Sequence, residues 1–388
     1  MITAYPKSEL ENIHLLDFAK ELRDKELISE AQVEEIEKNL TLPAYLPNIF
    51  VRIGLFLITC LGIFSGLGLC WLLTGSSEKG RVIGMLFLIY GTALFFLLEY
   101  FIRKKGHFRS GIDDALTYVI CLLLFLGSWI MFDPYDGRDY SFYIYGLPIF
   151  TFAAIRYHDR LMTLLSFGTV LGLMFQICLD LNFVGSWMMI PPLFILISGV
   201  VYHRIVHAPE YQEKIWFHDI RITLKYAALF VIYLSCNLFV IDYAAENLLP
   251  GGTGIFRSPV GYVFAGLTLV LPFIGFYMAY KNKDIHFVHV SLIGFLLTAA
   301  TLHHYFSPDF RPESWVIKGL LGIICSYFLI KYFKKHTSQF TYLKEKENAL
   351  AIVKEMGILA VGQPVQAKEE GMKFGGGDFG GGGVGGSY

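Results

Sequence analysis

Charge is scarce in this 388-residue chain: Asp, Glu, Lys and Arg make up 17% of it, against 54% hydrophobic residues. A soluble domain is about one quarter charged, so the shortfall excludes an ordinary soluble fold and points to a bilayer as part of the solvent. An excess of positive charge is missing as well. With a formal net charge of -1 there is no basic face for a phosphate backbone, and nucleic acid is not an expected partner. Cysteine is sparse and scattered. Cys60, Cys70, Cys121, Cys178, Cys236 and Cys325 each lie within an apolar run, without a CxxC spacing, so neither a disulfide framework nor a zinc site is indicated. Catalytic, cofactor and nucleotide motifs are not legible, so no cofactor is expected and an enzyme is not the favoured class.

Long apolar runs are abundant. Ile53 to Leu73, IGLFLITCLGIFSGLGLCWLL, has no charged residue and is long enough to cross the roughly 30 Å hydrocarbon layer as a helix, which takes about 20 residues. Further apolar blocks bring the candidate spans to ten: 50–73, 81–101, 113–132, 141–157, 161–181, 186–205, 225–244, 258–280, 287–305 and 315–333. The fold class expected is all-α, a polytopic membrane helix bundle of about ten spans. Its parts would be a helical hairpin over 1–47, the transmembrane domain over 48–333, a helix and linker over 334–370, and a disordered tail over 371–388. No cleavable leader is visible, and the first span reads as an uncleaved anchor.

Lys and Arg near span ends are retained on the cytoplasmic side. The loops after even spans hold Arg103, Lys104, Lys105 and Arg109, then Arg156 and Arg160, then Arg204, Lys214 and Arg221, then Lys281 and Lys283; the other loops are poorer. That bias predicts a multi-pass protein of the plasma (inner) membrane with both termini cytoplasmic. Residues 208–225, with Trp216, Phe217, Ile220 and Ile222 among charges, read as a helix lying in the membrane interface.

At the N-terminus, Ser8-Glu9-Leu10-Glu11 and Ser29-Glu30-Ala31-Gln32 are capping-box patterns that open two short helices. Ile13, Leu16, Ala19 and Leu22, then Val33, Ile36 and Leu40, give each an apolar stripe. Two short helices cannot hide these stripes on each other alone, so docking on the membrane domain or on a protein partner at the cytoplasmic face is expected. The tail GMKFGGGDFGGGGVGGSY has no apolar set to offset ordering entropy, and no strand and helix flank it as a nucleotide loop requires.

The KELISEAQVEEIEK helix pair, the Leu42-Pro43 linker and the LGIFSGLGL core of the first span together resemble bacterial polytopic membrane proteins grouped only as domain-of-unknown-function families. The resemblance covers about the first quarter of the chain. It implies membrane location and assigns no activity.

Several residue sets invite a functional reading. Gly62 with Gly66, and Gly168 with Gly172, are GxxxG patterns that let helices approach closely. Gln176, Ser235 and Asn237 are polar residues in span centres, and Pro148, Pro191-Pro192 and Pro272 interrupt spans; broken helices of this kind line transport pathways. The pairs His203/His207 and His286/His289 have the spacing of metal ligands on one helix face. On the outer side, His303-His304 and the carboxylates Asp133, Asp136 and Asp139 of the DPYDGRDY loop form a third candidate grouping. An acidic outer loop also invites comparison with polytopic lipid-linked glycosyltransferases, but that class carries it in the first outer loop, which here reads GSSEKGR. Carboxylates are missing from span centres, where proton coupling needs them. The expected function is therefore a membrane scaffold or interaction protein in contact with the lipid bilayer, the alternative being a transporter or channel for an unidentified solute.

Overall fold

A computed structural model describes residues 3–24, 28–40, 47–74, 80–132, 140–181, 186–207, 217–247, 254–282, 284–306, and the single positions 319, 320 and 324. Every regular element among them is helical: α1 (Lys7–Asp24), α2 (Glu30–Asn39), α3 (Ile49–Thr74), α4 (Gly80–Lys105), α5 (Ile112–Phe132), α6 (Tyr140–Tyr157), α7 (Arg160–Asp180), a 3-10 turn (Ser186–Met189), α8 (Ile190–His207), α9 (His218–Leu234), α10 (Leu238–Asn247), α11 (Pro259–Asn282) and α12 (Ile285–Phe306).

Six of these, α3, α4, α5, α7, α11 and α12, are long and apolar enough to cross a membrane, and α9 with α10 makes a seventh if that bent pair is one span. Among the described residues the spans therefore number six or seven, and the expected ten are not confirmed. Helices do occupy the first nine candidate segments, but α6 has 18 residues with four tyrosines, Pro148 and Arg156, and α8 (Ile190–His207) is described in full only over Ile190–Ile205. Most of the tenth candidate, the segment 334–370 and the glycine tail lie outside the described residues, as do Trp216 and the outer-loop carboxylates. Phe217, Ile220 and Ile222, expected in an interfacial helix, instead open α9.

The chain divides into two compact units. The first joins Met1–Ile28 to Glu37–Thr268. Its most extensive packing is α4 on α5, followed by α6 on α7 and α9 on α8, with α5 also touching α3 and α6. Two glycines allow the first of these contacts: a Cβ at Gly84 would lie 2.9 Å from the Gly127 carbonyl oxygen, and one at Gly127 would lie 3.0 Å from that of Gly84. Leu94, Leu98 and Ile102 of α4 meet Leu116, Val119, Ile120 and Leu123 of α5 and Ala153 and Ala154 of α6 in one core. Ala4, Tyr5 and Leu10 belong to the same core, so the N-terminal segment docks on the spans, as its unpaired apolar stripe requires. Around this core many large apolar side chains face outward, Phe50 at 82%, Leu72 at 77% and Phe96 at 68% exposure. Water would penalise that surface, and lipid would not.

In the second unit, Ser29–Ile36 with the chain from Leu269 onward, the end of α11 packs on α12. Phe295 meets Phe273 edge-on at 4.8 Å and lies 5.3 Å from Phe276. Asp284 opens α12 by accepting from the His286 amide at 3.0 Å. The expected capping box at the start of α2 is formed, with the Ser29 amide donating to the Gln32 side chain at 2.8 Å and the Gln32 amide to Ser29 Oγ at 3.4 Å.

Candidate functional site

Alternating helix direction brings the start of α3, the end of α4, the start of α5, the end of α6 and the starts of α7 and α9 to one end of the first unit. Each of these ends supplies a charged residue. At the α6–α7 junction only His158 and Asp159 separate the helices, and His158 takes the left-handed φ of 54° that so tight a turn demands. Asp159 then caps α7, accepting from the Met162 amide at 2.8 Å, while its other oxygen accepts the Tyr118 hydroxyl at 2.9 Å. Between α4 and α5 the chain passes through left-handed Gly106, Arg109 and Gly111. Gly111 has to be glycine, because a side chain there would run into the Arg52 carbonyl.

Asp113, opening α5, is almost wholly buried and fully used. It accepts from the Arg109 and Ser110 amides at 2.7 and 2.8 Å, the Ser110 hydroxyl at 2.9 Å and the Tyr5 hydroxyl at 3.1 Å. Such a set of donors satisfies the carboxyl oxygens in a buried place. Arg52 pairs with Asp114 at 2.8 Å, and Arg109 and Arg160 both pair with Asp219 at the start of α9. On the neighbouring flank Arg156 grips Glu99 through two 2.7 Å bonds, and Arg103 and Tyr157 bind the same carboxylate at 3.0 and 3.1 Å. The Ala4 amide donates to the Arg156 carbonyl at 2.9 Å, fastening the N-terminal segment to the same network.

Two groups outside the spanning helices carry perturbed acidities. Burial raises the Tyr5 phenol well above its ordinary value, and the Asp113 charge acts in the same direction. Desolvation lowers the His107 imidazole; Asp113 opposes that shift and Lys105 adds to it.

These residues enclose a polar cavity of about 170 Å³ whose charged walls are Arg52, Arg109 and Arg160 against Asp113, Asp114 and Asp159. A second cavity of about 240 Å³, almost wholly apolar, lies between α4, α5 and α6, with Phe95, Ile120, Leu124, Ile149 and Phe152 among its walls. Thr117 and Tyr157 line both.

The residues singled out from sequence are placed differently. Ser235 and Asn237 fall at a 72° break between α9 and α10, and both are buried. The polar groups there are employed in building the break. The Phe239 and Val240 amides donate to Asn237 Oδ1 at 3.1 and 3.3 Å, the Leu238 amide to Thr268 Oγ1 at 2.7 Å, and Ser235 Oγ to the Val231 carbonyl at 2.8 Å. Asn237 is thus the N-cap of α10. Gln176 is half-buried on α7.

Of the GxxxG glycines, Gly66 and Gly172 lie against the rings of Tyr90 and Tyr143, whereas a Cβ at Gly62 or Gly168 would meet no described atom within 4 Å. Backbone-to-backbone approach occurs instead at Gly84 and Gly127; Gly84 closes a GxxxG with Gly80 that the sequence reading passed over. No group of three or more His, Cys, Asp or Glu among the described residues is placed to hold a metal ion. His203 and His289 are exposed, the side chain of His207 lies outside the described residues, and His286 Nδ1 is 2.7 Å from Asp284.

Sequence reading missed the cavity itself. The usable signal was an acidic residue opening a span just after a basic residue closing the preceding one, as in Arg109 before Asp113-Asp114 and Arg156 before Asp159. No protein-family model, curated protein or solved structure matches this chain.

Proposed function

We propose that this chain is an integral membrane protein that serves as a membrane scaffold or interaction protein, its network of Arg–Asp pairs facing the cytoplasm together with the N-terminal segment. The observation that carries the reading is this network. It cross-links six helix ends and the N-terminus into one ordered polar face, while in the described long spans charged residues stay within about two turns of an end. A rigid face of that kind suits a fixed partner surface, and the resemblance to the bacterial polytopic proteins named above supports membrane location without bearing on the role. The 72° break after Leu234 favours a transporter or channel as the second reading. It weighs less, because Asn237 and Thr268 already take the backbone groups that the break frees.

Orientation is tested by single cysteines at exposed span ends in a background lacking the native ones. A membrane-impermeant maleimide added to intact cells should label Gly80→Cys and Leu181→Cys, at the opposite ends of α4 and α7, and spare Lys105→Cys. Labelling at Lys105 with protection at the other two would refute the cytoplasmic assignment.

A further inference from the structure

We propose that the two cavities of the first unit form one binding site for a zwitterionic glycerophospholipid, the head group in the polar cavity and one acyl chain in the apolar groove. The inference rests on the reading of the chain as a membrane protein and adds a specific ligand to it.

Three features of the site converge. The first is adjacency, since Thr117 and Tyr157 line both cavities, so the polar chamber and the groove abut at these two side chains. The second is depth. The groove follows α5 from Thr117 to Leu124 and α6 from Tyr157 back to Pro148, which at 1.5 Å per residue is roughly 10 to 14 Å. That is close to half the roughly 30 Å hydrocarbon thickness, the reach of a chain in one leaflet. Pro148, at the far end of the groove, lacks the amide that would continue the helical ladder of α6. The third is charge. The polar chamber presents three arginines and three aspartates, and Asp219 holds Arg109 and Arg160 from behind. Asp113 is already taken up by its four donors, but an anionic head group alone would leave Asp114 and Asp159 facing its negative charge. A phosphodiester joined to an ammonium satisfies both signs, the phosphate toward the guanidinium groups and the ammonium toward the carboxylates and the ring of Tyr118.

The apolar and polar halves can be perturbed separately at positions that carry little of the fold. Ile149 is half-buried on the groove wall, so Ile149→Trp fills the groove. Arg160 has a side chain 61% exposed, and its partner Asp219 keeps Arg109, so Arg160→Gln removes one cation from the chamber.

The test is native mass spectrometry of the full chain extracted from vesicles of equal phosphatidylethanolamine and phosphatidylglycerol, with vesicle flotation run in parallel to establish insertion. The expected result is one phosphatidylethanolamine retained per chain in preference to phosphatidylglycerol. Retention should fall about tenfold or more in each variant, on the scale of one lost charge-assisted contact or one blocked acyl site, at unchanged melting temperature. Equal retention of both lipids, or retention unaffected by both variants, in protein that floats would overturn the site without touching the membrane reading. Free O-phosphoethanolamine binding to the wild type with no phospholipid retained in protein that floats would assign the chamber to a soluble ligand and overturn the lipid. Failure to float would instead count against membrane insertion itself.

Discussion

Removing the Tyr5 side chain should release the N-terminal segment from the bundle. Tyr5 is 7% exposed, its ring meets Phe108 edge-on at 4.9 Å, and its hydroxyl donates to Asp113 at 3.1 Å. A buried aromatic side chain removes about 150–250 Å² from solvent, which at about 25 cal/mol per Å² is an upper limit of about 4–6 kcal/mol. Large-to-small aromatic substitutions in cores cost about 3–5 kcal/mol, so Tyr5→Ala should weaken docking by about 3 kcal/mol or more. Tyr5→Phe keeps the ring. Asp113 retains three other donors, so the lost hydroxyl should cost only about 1 kcal/mol. Amide hydrogen exchange over α1 in detergent-solubilised protein reads both: about a hundredfold acceleration for the alanine variant and about fivefold for the phenylalanine variant, at 1.4 kcal/mol per decade. Exchange unchanged in Tyr5→Ala, or equally fast in the two variants, would refute the reasoning that ring burial anchors this segment.

Helix packing offers a second contrast. Gly84→Val should destabilise the bundle by several degrees of melting temperature, because its side chain would strike the backbone at Gly127 and Met131, whereas Gly62→Ala, where a Cβ meets nothing described, should leave thermal stability unchanged or slightly raised. The third expectation concerns pH. The lowered proton affinity of His107 in the folded chain means that the unfolded state binds more protons as pH falls through the ordinary imidazole range, so its contribution is whole above about pH 6.5 and is lost below it. Thermal melts at pH 7.5 and 5.0 should therefore differ less in His107→Gln than in the wild type, and an unchanged difference would remove His107 from the account.

Composition and apolar run length by themselves determined that the chain is helical and built of segments long enough for a bilayer, because hydrophobic length is a property of consecutive residues. The Ser29–Gln32 box was legible for the same reason, its partners being three residues apart. Span number was less so: α6 reads as a span by its apolar character, yet its tyrosines, Pro148 and Arg156 keep it out of the set of described helices long and apolar enough for a bilayer crossing. The cavity was not legible at all. Arg52 and Asp114 lie 62 positions apart, Tyr5 and Asp113 108, and Arg109 and Asp219 110, so each basic residue could be read only as part of a loop charge bias. Likewise Asn237, polar among apolar neighbours, had no visible employment until the chain turned by 72° and exposed the amides that it caps. Which carboxylate meets which guanidinium, and which glycines touch, depends on how helices distant in sequence are brought side by side; that is a matter of packing, and only the tertiary structure decided it.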